Sequence, residues 1–214
     1  SYTSLTNDKI RSMQVYADKT FKSIGTKFSV SFSAIEDHNS WNQAFPIDQT
    51  DGSQQSDFYR FAGGTDMSIK KGTFKYAQAW NSNLITVLGA KKTIYTSESN
   101  FRVERLVSNA WFDEGMMNEQ YNSQQDINSI FAIGYYDIGK FEIAASVDGQ
   151  QSILTGVTPN AETRTMKSKI QVIPSISIDQ KLNKNNSINY SFSQDIKRPS
   201  FRDLDPTNRY VNRY

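Results

Sequence analysis

A chain of 214 residues with 24 basic and 22 acidic side chains, net charge +2 and no cysteine lacks the cationic footprint of a nucleic-acid binder and excludes disulfides and thiolate metal sites. Its 37% hydrophobic content is low for a globular domain, where about 45–50% is usual with glycine counted, yet it carries 13 Phe, 11 Tyr and 3 Trp. No run approaches the ~18 apolar residues of a membrane-crossing helix, and the opening SYTSLTNDKI has no apolar signal-peptide core.

Helical periodicity is scarce and period-two alternation is widespread. Met13, Val15, Ala17 and Phe21 share one face against Gln14, Asp18 and Thr20, and KSIGT (22–26) turns the chain. Phe28, Val30, Phe32 and Ala34 then oppose Ser29, Ser31 and Ser33. The polar run 36–55 reads as a loop. In 58–69, Tyr59, Phe61, Met67 and Ile69 oppose Arg60, Asp66 and Ser68, and KKG (70–72) reads as the next turn. Residues 73–82 fit either a strand or a longer turn. A strand with blurred alternation covers 83–95, followed by a polar stretch to about residue 123.

The second half is cleaner. Residues 126–138 form a strand with Phe131, Tyr135 and Tyr136, and Gly139–Lys140 is a tight turn. Phe141, Ile143, Ala145 and Val147 oppose Glu142, Ser146 and Asp148, before a loop at 155–164. In 167–182, Ile170, Val172, Ile176 and Ile178 oppose Lys169, Gln171, Ser175, Ser177 and Asp179. After the turn at 183–186, Ile188, Tyr190 and Phe192 alternate with Asn189, Ser191 and Ser193, and the alternation stops before KRPSFRDLDP.

This pattern gives about eight long strands in four hairpins, with short connections after 21, 69, 138 and 182 and long ones after 35, 95, 154 and 194. Strands of ~10–14 residues exceed the five or six usual in soluble sheets and suit a tilted bilayer crossing of ~9–11. The fold class expected is all-β: an antiparallel up-and-down meander forming part of a larger transmembrane β-barrel, and an open curved sheet if isolated. In lipid every backbone polar group must be paired within the sheet, and a barrel puts its short turns at one end and its long loops at the other. The rival reading is a soluble or surface-attached β-sandwich binding module, an adhesin or glycan binder. Pro174 inside a strand favours an edge in that reading, or a bulge in a barrel wall.

Chemistry-bearing clusters are sparse. His38, the one histidine, sits beside Glu36, Asp37 and Asn39, too few ligands for a triad or a histidine metal site; it reads as a solvated loop residue. Asp48 and Asp51 lack calcium-loop spacing and read as a turn. Trp41, Trp80 and Trp111 lie in or near connections, as interface anchors or as packing or binding groups. No enzymatic activity, cofactor, catalytic residue or metal is expected.

Residues 167–214, with the run IPSISIDQKLNKNNSINYSFSQDIKRPSFRDLDPTNRYVNRY, resemble the barrel of TonB-dependent outer-membrane receptors of the Bacteroidetes type. The residues that carry the resemblance are Pro174-Ser175, the Asn/Lys turn 183–186, Arg198-Pro199-Ser200-Phe201 and Leu204-Asp205-Pro206, with Asp205 where the family commonly has Asn. AASVDGQQ (144–151) departs from the family's Gly-Leu-Arg pattern. The resemblance implies a barrel of ~22 strands around a plug. Residues 1–214 would then be a partial barrel without plug or signal peptide, cut at both ends. Its partners would be outer-membrane lipid, a TonB complex acting through the missing plug, and a small nutrient ligand. Nucleic acid is not among them.

Overall fold

The computed structural model describes residues 3–48, 56–108, 110–113, 119–157, 163–183 and 185–197. They form ten strands: β1 Thr3–Phe21, β2 Thr26–Asp48, β3 Ser56–Ala79, β4 Leu84–Val107, β5 Ala110–Asp113, β6 Glu119–Ile138, β7 Phe141–Val157, β8 Thr163–Lys167, β9 Gln171–Lys181 and β10 Ser187–Ser193. A single 3₁₀ turn, Lys22–Ile24, joins β1 to β2. All strands belong to one sheet in the order β1-β2-β3-β4-β6-β7-β9-β10, with β5 on β4 and β8 on β7. β5 and β6 lie along one lane beside β4, and β8 and β9 along one lane beside β7. The eight expected lanes are therefore present, as an antiparallel meander whose outermost strands are β1 and β10.

There is one layer and almost no core. Among the described residues only Val103, Tyr121 and Ile127 are buried hydrophobics. A β-sandwich buries one sheet face against another; this sheet has no second sheet, so the sandwich reading falls. Large apolar side chains stay exposed instead, Val30 at 53%, Leu88 at 53% and Ile130 at 72%.

The connections differ from the sequence reading in an informative way. KKG is not a turn: Lys70, Lys71 and Gly72 pair with Ala34, Ser33 and Phe32 on β2 and with Ile94, Thr93 and Lys92 on β4. Strands on both sides satisfy that backbone, and the hairpin comes at 80–83. There the Asn81 side chain accepts from the backbone N–H groups of Asn83 and Leu84, each at 2.8 Å. Residues 73–79 are thus strand and 80–83 turn. The polar runs after 35 and after 95, expected as loops, continue as strand to Asp48 and Val107. His38 lies in β2, not in a loop. The asymmetry between the two ends of the sheet resides in strand extension rather than in loop length.

Pro174 is neither on an edge strand nor at a bulge. It pairs with Val147 inside β9. The bulge sits at 168–170: from Ile153–Lys167 to Gln150–Gln171, β7 moves three residues while its partner lane moves four. In a strand the N–H and C=O of one residue point to the same neighbour. The Pro174 carbonyl accepts from Gln194 N–H at 3.2 Å, so its missing N–H faces β10. Opposite this gap β10 ends, at Ser193. The alternation of the last strand stops where its partner can no longer return a ladder bond.

At the opposite end, Gly25 has φ +62° and an added Cβ there would lie 2.8 Å from the Ala79 carbonyl oxygen. Gly139 has φ +61° with open space around it. Gly25→Ala should therefore lower stability by about 1–3 kcal/mol and Gly139→Ala by less, read from urea midpoints of the refolded protein; equal losses would mean that the Ala79 contact is unimportant. Pro174→Ala should give residue 174 an amide protected from hydrogen exchange by Gln194. Fast exchange at that amide would show that something else ends β10.

Candidate functional site

The register carries the same face from strand to strand. One face bears Met13, Val15 and Ala17 on β1; Phe28, Val30, Phe32 and Ala34 on β2; and Phe74 and Tyr76 on β3. It continues with Leu88 and Ala90 on β4; Ile130 and Ala132 on β6; Ile143, Ala145 and Val147 on β7; Ile176 and Ile178 on β9; and Tyr190 and Phe192 on β10. The apolar stretch starts at the short turns and ends at one line, marked by Arg11, Glu36, Lys70, Lys92, Asn128 and Gln151. On β2 it covers Thr26–Ala34, nine residues. At ~3.3 Å per residue and ~45° tilt, that is roughly 21 Å of height, close to the ~25 Å apolar band of outer-membrane barrels. At the turn end the same face carries Phe21, Phe28 and Tyr76, with Phe28 packed 6.2 Å from Phe21 and 5.2 Å from Tyr76. Trp80 is exposed there, its indole N–H donating to Thr86 Oγ1 at 2.9 Å. This is an aromatic belt where lipid meets water.

The other face carries hydroxyls, amides and paired charges, with an apolar patch of Ile85, Val87, Phe131, Ile133 and Tyr135 at the β4–β6 seam. Nine of the ten buried residues described lie on it: Val103, Tyr121, Ile127, Thr73, Thr93, Ser97, Ser123, Ser129 and Ser152; Thr26 is the exception. Asp148 is its best-supplied carboxylate. It accepts from Ser129 Oγ at 2.6 Å and Gln150 Nε2 at 2.7 Å, with Lys91 Nζ at 3.9 Å. Ser175 bonds Ser146 at 2.7 Å, and Asn189 donates to Asp179 at 2.8 Å and Ser177 at 3.0 Å. Such a surface belongs against water, so this is the lumen face and the apolar face is the lipid face.

Beyond the apolar band, β2, β3 and β4 run on for a dozen or so residues and the lumen face changes character. Trp41 and Phe101 approach to 6.1 Å, Phe101 and Phe61 to 6.1 Å, and Phe61 and Tyr59 to 6.5 Å. Trp41 pairs with Gly63, and a Cβ there would meet the indole at 2.8 Å. The glycine lets the ring lie against the wall. This aromatic island on the part of the lumen face beyond the apolar band is the candidate ligand-contacting surface. Tyr59 and Phe61 stood out in the sequence as one strand face. Phe101 did not, because its surroundings read as loop.

On the outer face at the same height, His38 bonds Asp66 directly across the β2–β3 ladder. Arg60 pairs with Glu104 and lies 4.8 Å from the centre of the Trp111 ring. These contacts fasten strands to each other; among the described residues no cluster of His, Cys, Asp or Glu could hold a metal. Of the three tryptophans only Trp80 lies at a turn; Trp41 and Trp111 are in β2 and β5. Pro174 and Ser175 lie in β9, while Arg198, Pro199, Phe201, Leu204 and Pro206 lie outside the described residues, as does Asp51.

A single-layer meander with a lipid-height apolar face, an aromatic belt and a polar reverse face defines a section of transmembrane barrel wall. The chain belongs to the outer membrane protein β-barrel family, whose model matches residues 19–214, and its place is the outer membrane. No curated protein matches it. Among solved structures it is similar to BauA, the ferric preacinetobactin receptor of Acinetobacter baumannii, with TM-score 0.54, 11% identity, and 86% of this chain aligned to 30% of that one. It also aligns with the ferric citrate transporter FecA in its unliganded form (TM-score 0.48, 8% identity, 77% of this chain and 26% of that one). A third is FauA, the alcaligin outer-membrane receptor of Bordetella pertussis (TM-score 0.37, 6% identity, 87% and 35%). The chain thus spans about a third or less of the length of these structures.

The two faces make a direct prediction. Nitroxides at Val30, Phe32, Ile176 and Ile178 should be relaxed preferentially by lipid-soluble oxygen, and those at Ser31 and Ser177 by a water-soluble reagent. Equal accessibility of the two sets would contradict the assignment of faces.

Proposed function

We propose that this chain is part of the barrel wall of a TonB-dependent receptor that binds a scarce small nutrient and imports it across the outer membrane. The observation that carries this reading is the pairing of a lipid-height apolar band with an aromatic island on the lumen face beyond it. The short turns face the periplasm, as is usual for such barrels, and the long strand extensions stand outside the cell. Trp41, Tyr59, Phe61 and Phe101 contact the ligand there, since aromatic faces bury area at little cost in conformational entropy. A plug domain outside residues 1–214 closes the pore and couples it to the inner-membrane TonB complex. The motif from Arg198 to Pro206 supports a receptor of the Bacteroidetes type. No covalent step is asked of these residues, and the wall needs no cofactor.

The reading has two tests. An antibody against residues 163–175 should detect a band far above 24.4 kDa in the outer-membrane fraction; a 24.4 kDa band in a soluble fraction would refute it. Trp41→Ala combined with Phe101→Ala should raise the nutrient concentration for half-maximal growth about tenfold or more, with receptor abundance unchanged. Unchanged uptake would remove the aromatic island from the binding site.

A further inference from the structure

At the height of the apolar band the lumen face is sorted by charge. On β2, β3 and β4 it carries Lys27, Lys71, Lys75 and Lys91 and no carboxylate. On β6, β7 and β9 it carries Asp137, Glu142, Asp148 and Asp179, with Lys181 as the cation among them. The flanking carboxylates reach only the margins of the basic strip: Asp18 on β1 holds Lys27 at 3.1 Å, and Asp148 lies 3.9 Å from Lys91. Lys71 and Lys75 are exposed, and their side chains have no ion pair among the described residues. The register gives the reason. Lys71 stands between Ser33 and Thr93, Lys75 stands between Ser29 and Gly89, and no diagonal neighbour of either on this face is an acid. The lysines of the outer face differ, since Lys70 has Glu36 and Lys92 has Asp126 one diagonal step away. Thr73 lies between Lys71 and Lys75 on β3 and opposes Lys91 on β4. Lys91 is thus a diagonal neighbour of both, at a Cα spacing of about 7–8 Å. Flexible four-carbon stems let the three ammonium groups converge over Thr73, which is buried.

We infer that Lys71, Lys75 and Lys91 form an anion-binding site on the lumen wall, for a carboxylate or phosphate group of a solute moving through the barrel. An anion held there relieves the mutual repulsion of three neighbouring ammonium groups. The hydroxyls of Ser31, Ser33 and Thr93 border the site and can donate to the same oxygens. A cleft lined by one sign of charge between low-dielectric walls focuses its field and raises the local concentration of counter-ions, as lysine and arginine rings do in anion pores. Lys71 follows Phe61 by ten residues of β3, roughly 33 Å along the strand, so the site is separate from the aromatic island and deeper in the wall. The inference rests on the uptake reading and adds to it that the imported nutrient is anionic.

The test uses the full-length protein in detergent and a water-soluble acetylating reagent, with acetylation of each lysine read by peptide mass spectrometry. Pyrophosphate and tricarballylate are the probes, and sodium chloride at equal ionic strength is the reference. Either probe should slow acetylation of Lys71, Lys75 and Lys91 about threefold or more, while Lys70 and Lys92 on the outer face keep their rates. Lys71→Gln with Lys75→Gln should abolish the protection of Lys91. Heat-modifiable migration on gels confirms that the variant is folded. Equal slowing of inner and outer lysines, or protection of Lys91 that survives in the double variant, would overturn the inference. So would carbodiimide crosslinking of these lysines to a carboxylate elsewhere in the protein with neither probe having any effect, because a resident partner would then hold the site. Mass and cell fraction decide the uptake reading separately. Protection in a soluble protein of 24.4 kDa would keep the site and refute that reading; an outer-membrane receptor without protection would refute the site alone.

Discussion

The backbone ladder is the constraint on which everything else here depends. A strand that meets hydrocarbon on one side has no water to satisfy its N–H and C=O groups, so every one must be bonded to a neighbouring strand. That requirement explains why β3 passes through Lys70-Lys71-Gly72 without turning. It also explains why a single proline matters. Pro174 can receive a bond from Gln194 and cannot return one, and β10 stops there. Stability in this sheet comes from ladder bonds, cross-strand pairs and the lipid outside, since the three buried hydrophobics described cannot amount to a core.

Once the ladder is fixed, the period of two distributes chemistry between solvents. The lipid face carries exposed Phe, Val, Leu and Ile that would be an aggregation hazard in water. The lumen face carries serines and a carboxylate, Asp148, supplied with three partners. Where the strands rise past the membrane the division loosens. The outer face becomes charged and is held by local pairs such as His38–Asp66. The lumen face gains the aromatic chain from Trp41 to Tyr59. The aromatic wall and the membrane wall are thus the same strands at two heights.

Much of this was legible in the chain. The serine-for-phenylalanine alternation of 28–34 and the hydroxyl-rich 175–193 stretch state which residues share a face, because that depends only on the pleat. The Gly139–Lys140 turn was equally plain. The polar runs 36–48 and 96–107 were not, because strands above the membrane need no apolar face and so imitate loops. For the same reason the island's Phe101 and the His38–Asp66 pair were hidden: each depends on register with a strand some 28 to 60 residues away.

The sequence by itself determined the antiparallel meander, the number of lanes and the two-faced wall, since these follow from local alternation and turn chemistry. Only the tertiary structure decided where strands end, which glycines receive a ring, and which charges find partners. Those outcomes depend on the alignment of one strand against the next, and alignment is set by ladder bonds summed over the whole sheet rather than by any short stretch within it.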